Sequence, residues 1–144
     1  MVLHLTEYQI KQMEADGVHL YLSGVMDWDG NKKRIEVFFE NSYEEKKIFN
    51  NAEIAVDGDL VESSSSESYH LVQSRVVSVK LITDFPIENL TIHDRLMATG
   101  LIHEFKKVFR RDKIRAREIL KALGVSEEYA EEILLRNSYI LPFV

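Results

Sequence analysis

The stretch VHLYLSGVMDWDGNKKRIEVFF, residues 18–39, decides the fold. Val18, Leu20 and Leu22 alternate with His19, Tyr21 and Ser23, and Ile35, Val37 and Phe39 alternate with Arg34, Glu36 and Phe38. A period of two sends successive side chains to opposite faces of a strand. Between the two runs, Asp27-Trp28-Asp29-Gly30-Asn31 supplies Asp-Gly, the pair favoured where both central residues of a tight turn take positive φ. The stretch predicts an antiparallel hairpin with one apolar face.

Upstream, Thr6 and Gln9 have capping-box spacing, Ile10 and Met13 follow at helical distance, and Gly17 can close a turn. That pattern predicts a short N-terminal helix. Downstream, Ser42 and Glu45 repeat the capping-box spacing over one or two helical turns. Glu53 to Val56 and Leu60-Val61 flank Asp57-Gly58-Asp59, expected as a second turn, and Ser63 to Ser66 reads as a loop. Tyr69 to Thr83 is rich in β-branched residues and forms one long strand, or two joined near Gln73-Ser74. The expected sheet is antiparallel, with four to six strands.

After Asp84-Phe85-Pro86 the period lengthens to that of helices. Thr91 stands three residues before Asp94 as an N-cap, and Leu101, Phe105, Val108 and Phe109 continue at helical spacing through Gly100. Asp112 caps a new helix from Lys113, Gly124 ends it, and Ser126 caps another running through Leu135. Strands followed by helices predict an α+β fold, with a short N-terminal helix and a C-terminal group of two or three helices. A single domain over 1–144 is expected, sheet-rich over 1–85, helical over 86–138, with an apolar tail at 139–144. The tail, Tyr139 to Val144, is expected to dock on its own domain rather than on a partner or second subunit.

Length and composition set outer limits. The 144 residues are 45% hydrophobic with 14 aromatic side chains, enough to bury a core and to exclude a wholly disordered chain. With no cysteine there is no disulfide scaffold, thiol nucleophile or thiolate metal site. MVLHLTEYQI lacks the basic and apolar regions of a secretory signal, and no apolar run is long enough to span a bilayer, so a cytoplasmic location is expected. The net charge of -6 divides unevenly. Residues 1–105 carry 9 Lys+Arg against 18 Asp+Glu, and residues 106–144 carry 9 against 6.

The basic segment is the strongest local signal. Lys106, Lys107, Arg110, Arg111, Lys113, Arg115, Arg117 and Lys121 are opposed within it by Asp112 and Glu118 alone. On one continuous helix, Lys106, Arg110, Lys113, Arg117 and Lys121 would form a stripe able to meet phosphates or an acidic partner. ILKALGVSEEYAEEIL has the outline of a helix-turn-helix, but Glu127, Glu128, Glu131 and Glu132 on the second helix would be repelled by DNA.

Other chemistry fails on spacing. Asp27, Asp29 and Asn31 around Gly30 lack the sixth-position Gly and twelfth-position Glu of a calcium loop. His103-Glu104 begins a zinc-protease pattern, yet Lys107 stands where its second histidine belongs. His93 and His103 cannot share a metal on one straight helix. No nucleophile elbow or phosphate-binding glycine loop is present, and no cofactor motif is found. An acid–base site would need the fold to bring His93, Asp94 and Arg95 to Tyr69 or His70.

Size, acidity and architecture are similar to those of small bacterial immunity proteins, secretion chaperones and phage-encoded inhibitors, an analogy of fold class with no shared motif. The expected function is a non-catalytic protein-binding module that sets an acidic sheet face against a basic partner. Glu36, Glu40, Asp57 and Asp59 are the candidate residues, with Trp28 as an anchor. The alternative is a nucleic-acid or phosphate-binding module using Lys106, Arg110, Arg111, Lys113, Arg117 and Lys121. Either module is compatible with a homodimer.

Overall fold

The computed structural model describes residues 1–14, 16–62 and 68–136, apart from the Trp28 side chain. Ser63 to Ser66 and the tail 139–144 lie outside the described residues. The chain divides into two compact units, Met1–Lys80 and Leu81–Val144. Six strands and five helices among the described residues make it α+β.

In the first unit the strands are β1 (Val2–Leu5), β2 (Tyr8–Glu14), β3 (Val18–Trp28), β4 (Asn31–Phe39), β5 (Ala52–Glu62) and β6 (Ser68–Leu81). They form one sheet in the order β1-β5-β6-β4-β3-β2. The predicted hairpin is β3–β4, paired antiparallel from Tyr21↔Phe38 to Trp28↔Asn31. Asp29 (φ 51°) and Gly30 (φ 80°) close it with positive φ at both central positions. Leu22, Ile35, Val37, Leu71, Val56, Ile54 and Leu5 are buried on the inner face. This is the apolar half of each alternation, and its burial is the main force holding the sheet in register.

Three features of the sheet depart from expectation. First, the predicted N-terminal helix is instead strands β1 and β2. Ile10 and Met13 lie opposite Leu22 and His19 of β3, on different faces of the sheet. A short helix is marginal in water, whereas β2 gains a seven-residue ladder with β3 and an anchor. The anchor is the Tyr8 hydroxyl, which donates to the Phe49 carbonyl at 2.6 Å and lies 3.0 Å from that of Ala52. Burial pushes the Tyr8 phenol up to about 12.

Second, the sheet is mixed, because β4 and β6 run parallel. The chain passes through a helical turn and all of β5 before β6, ample length for a crossover. Third, Asp57-Gly58-Asp59 makes no turn and continues β5. A Cβ on Gly58 would stand 2.7 Å from Ser74 Oγ and 2.8 Å from the Val72 carbonyl, so glycine is needed for close approach of β6. There β6 bulges at Gln73 (φ 55°), and its register against β4 slips between Val37↔Leu71 and Phe39↔Ser74. The Tyr69–Thr83 region is thus one strand with a bulge at the suspected joint.

After β4, Asn41 caps α1 (Ser42–Glu45), its side chain accepting from the Glu44 N–H. Two buried carboxylates follow. Glu44 accepts the Val76 N–H of β6, and Glu45 accepts the Leu20 N–H of β3.

The second unit holds α2 (Ile92–Thr99), α3 (Ile102–Val108), α4 (Lys113–Ala122) and α5 (Glu127–Arg136). Four helices stand where two or three were expected, because Gly100 (φ 75°) ends α2 instead of lying within a longer helix. Leu101 N–H bonds the Leu96 carbonyl and Gly100 N–H that of Met97, the paired closure of a Schellman cap. Thr91, Asp112 and Ser126 each accept the N–H three residues on, as their spacing predicted. Leu96, Phe105, Ala116, Ile119, Leu120, Ala130 and Ile133 fill this unit's core. Beside them Arg95 is buried, its guanidinium donating to the carbonyls of Leu90, Glu88 and Leu123.

Candidate protein-interaction surface

The outer face of the sheet carries the other half of each alternation. Tyr21 of β3 and Phe38 of β4 are cross-strand partners whose rings stack with centroids 5.2 Å apart. His70 of β6 meets Phe38 edge-on at 5.3 Å, and Lys11 of β2 is the register partner of Tyr21. A row Lys11-Tyr21-Phe38-His70 therefore crosses four strands. Such pairs contribute up to about 1 kcal/mol each to the sheet. Tyr21, Phe38 and His70 remain partly exposed, so their rings are also available to a ligand.

The acidic candidates border this row. Glu36 sits opposite His70 in the register, with its carboxylate 3.8 Å from the imidazole Nε2. Glu40, exposed just beyond β4, pairs with Arg75 at 3.1 Å. Asp57 pairs with the Met1 amino group at 3.2 Å, and Asp59 is exposed two residues further along β5. The fold thus puts Glu36 on β4 beside the aromatic row and Glu40 just past its end, while Asp57 and Asp59 lie on β5, with β6 between the two strands. Trp28 ends β3 at the hairpin tip, and its side chain lies outside the described residues.

Tyr21, Phe38 and His70 were not among the residues expected to bind. Their signal was present in the alternation, which set Tyr21 with His19 and Ser23, and Phe38 with Arg34 and Glu36. Only the strand register brings these sets together. His19 adds a second histidine–carboxylate contact, 3.9 Å from Glu45.

The basic segment is not the stripe expected of one helix. It is interrupted at 109–112, between α3 and α4. Three of its cations are held by the chain. Lys113 Nζ donates to the carbonyls of Phe109 and Leu134 and lies 5.0 Å from the Phe109 ring centroid. Arg115 pairs with Glu104 at 2.8 Å, and Arg117 with Glu131 at 2.7 Å. Lys106, Arg110, Arg111 and Lys121 are exposed, as is Lys107.

The remaining constellations are accounted for locally. Asp27, Asp29 and Asn31 belong to the hairpin turn. Among the described residues no group of three or more His, Asp or Glu side chains is placed to hold a metal ion. His93 and His103 fall on separate helices, α2 and α3, and His93 Nδ1 is buried with no hydrogen-bond partner among the described residues. His93, Asp94 and Arg95 belong to the second unit, Tyr69 and His70 to the first. The Arg95 guanidinium is occupied by carbonyls. No helix among the described residues is long and apolar enough to cross a membrane.

No family model matches the chain, and no curated protein matches it. Among solved structures it is similar to the OB domain of a Thermoplasma acidophilum protein, determined by solution NMR, at 19% identity. The match covers 64% of this chain and 82% of that one with a TM-score of 0.34, a likeness too slight to assign a fold or a function.

Proposed function

We propose that the chain is a non-catalytic protein-binding module whose outer sheet face receives a basic partner, in the manner of a small inhibitor, immunity protein or chaperone. The observation that carries this reading is the partly exposed Tyr21-Phe38-His70 row with Glu36 and Glu40 beside it. An aromatic ring attracts a guanidinium or ammonium group through its quadrupole, by about 0.5–2 kcal/mol per contact. A neighbouring carboxylate adds a charge-assisted hydrogen bond. Glu40 has a cationic neighbour of its own, Arg75, on the exposed surface, and the partly exposed Glu36 lies beside the His70 imidazole. Exposed pairs of this kind are held by about 1 kcal/mol or less. A partner's arginine can displace them at little cost. Asp57 and Asp59 on β5 extend the acidic field and favour encounter with a basic surface.

Binding of a fluorescent arginine-rich peptide tests the reading. Charge reversal of Glu36, Glu40, Asp57 and Asp59 to Lys is expected to weaken binding at least tenfold at moderate salt. Unchanged binding by this variant would overturn the proposal.

A further inference from the structure

We infer that the corner between α3 and α4 in the second unit is a docking site for the phosphodiester backbone of a nucleic-acid duplex, separate from the sheet face and independent of it. The structure sorts the eight cations of this segment by what they already do. Lys113, Arg115 and Arg117 are tied to carbonyls or carboxylates of their own unit. Lys106, Lys107, Arg110 and Arg111 are exposed, and no ion pair to them is found among the described residues. The acidic residue inside the corner, Asp112, is engaged by the chain, its carboxylate accepting the Arg115 N–H as the α4 cap.

The four cations are spaced as 106/110 and 107/111. Lys106 and Lys107 stand in the last turn of α3, and Arg110 and Arg111 in the turn that follows it, so all four cations fall within six residues of one corner. The α4–α5 hairpin keeps the carboxylates of Glu127 and Glu128 away from it. Lys113 reaches the Leu134 carbonyl and Arg117 reaches Glu131, so the two helices run antiparallel. The start of α4 therefore lies beside the end of α5. Glu127 and Glu128 open α5 at the far end of the hairpin, roughly 15 Å away for a ten-residue helix.

Duplex nucleic acid fits this corner better than an acidic protein does. Protein interfaces centre on apolar and aromatic side chains and are poor in lysine. Here Phe109 is buried and Val108 is half-buried, so the turn itself presents its cations and no aromatic centre, with Ile114 of α4 and Leu135 of α5 exposed nearby. A duplex offers one negative charge per about 1.7 Å of axis and needs no apolar contact. Arg110 and Arg111 add forked donors suited to phosphate oxygens. Contact of this kind is to the phosphate backbone and is independent of sequence.

The test is fluorescence anisotropy with a 20-base-pair DNA duplex on the full chain, from about 25 to 150 mM salt. Binding is expected, with log K falling against log salt at a slope near -3.6 for four phosphate contacts. The variant K106E/K107E/R110E/R111E is expected to lose at least tenfold in affinity while keeping its circular dichroism spectrum. K121E, at the far end of α4, is expected to stay within twofold of the parent. No binding at the lowest salt, equal loss with K121E, or poly-L-glutamate competing as well as unlabelled duplex would each overturn the inference.

Discussion

Glu44 Oε2 accepts the backbone N–H of Val76 at 3.1 Å, joining a helical turn to a strand 32 residues away in sequence. The contact follows from the sheet order. β4 lies between β3 and β6 and ends at Phe39, so both neighbours run on past it and lose the partner that β4 supplied on that edge. The next turn of chain supplies two carboxylates instead, Glu44 to β6 and Glu45 to the Leu20 N–H of β3. Lys47 offsets the buried charge of Glu44 at 3.1 Å. Replacing Glu44 by Ala leaves a buried N–H unsatisfied, at about 1–3 kcal/mol. Urea denaturation of E44A should show a lower midpoint of that order. E44Q, which keeps an acceptor oxygen, should lose less.

Tyr8 gives the first unit an alkaline signature. Its phenol is raised from 10.0 to about 12 in the folded chain, so the folded state holds the proton more tightly than the unfolded state. The stability linked to it is complete below pH 10 and is lost as pH rises from about 10 to 12. Y8F should remove this step from a plot of stability against pH. It should also cost about 0.5–1.5 kcal/mol at neutral pH, through loss of the hydrogen bond to the Phe49 carbonyl. Thermal unfolding across that pH range measures both effects.

The same residue marks where the sequence was legible and where it was not. The β3–β4 hairpin was readable because alternation and an Asp-Gly turn agree within one short window. The caps at Thr91, Asp112 and Ser126 were readable because a side chain bonds a backbone group three residues away. Tyr8–Glu14 misled because its apolar spacing suits a helix, while its conformation is set by the edge of β3 that it covers. Gly58 misled in a similar way, since the reason for glycine there is β6, distant in sequence. In the candidate surface, the acidic members were visible as charges. The aromatic row was hidden, because Tyr21, Phe38 and His70 become neighbours only through strand register.

Arg95 is the corresponding fastener of the second unit. It holds the carbonyls of Glu88 and Leu90 ahead of α2, and that of Leu123 at the end of α4. Lysine retains the charge but lacks the planar fork that reaches three acceptors at once. R95K should destabilise this unit by about 2 kcal/mol. Hydrogen exchange is the suitable measurement, with faster exchange expected in α2 and α4 and little change at the amides of β3 and β4.

The central claim is that the outer sheet face receives a basic partner, and NMR mapping tests it most directly. An arginine-rich peptide is titrated into isotopically labelled protein while backbone amide and aromatic ring signals are followed. The account predicts that the largest shifts fall on Tyr21, Phe38 and His70, with Glu36 and Glu40 beside them, and that F38A weakens the titration at least fivefold. Shifts concentrated elsewhere, or an F38A titration that matches the parent, would contradict it.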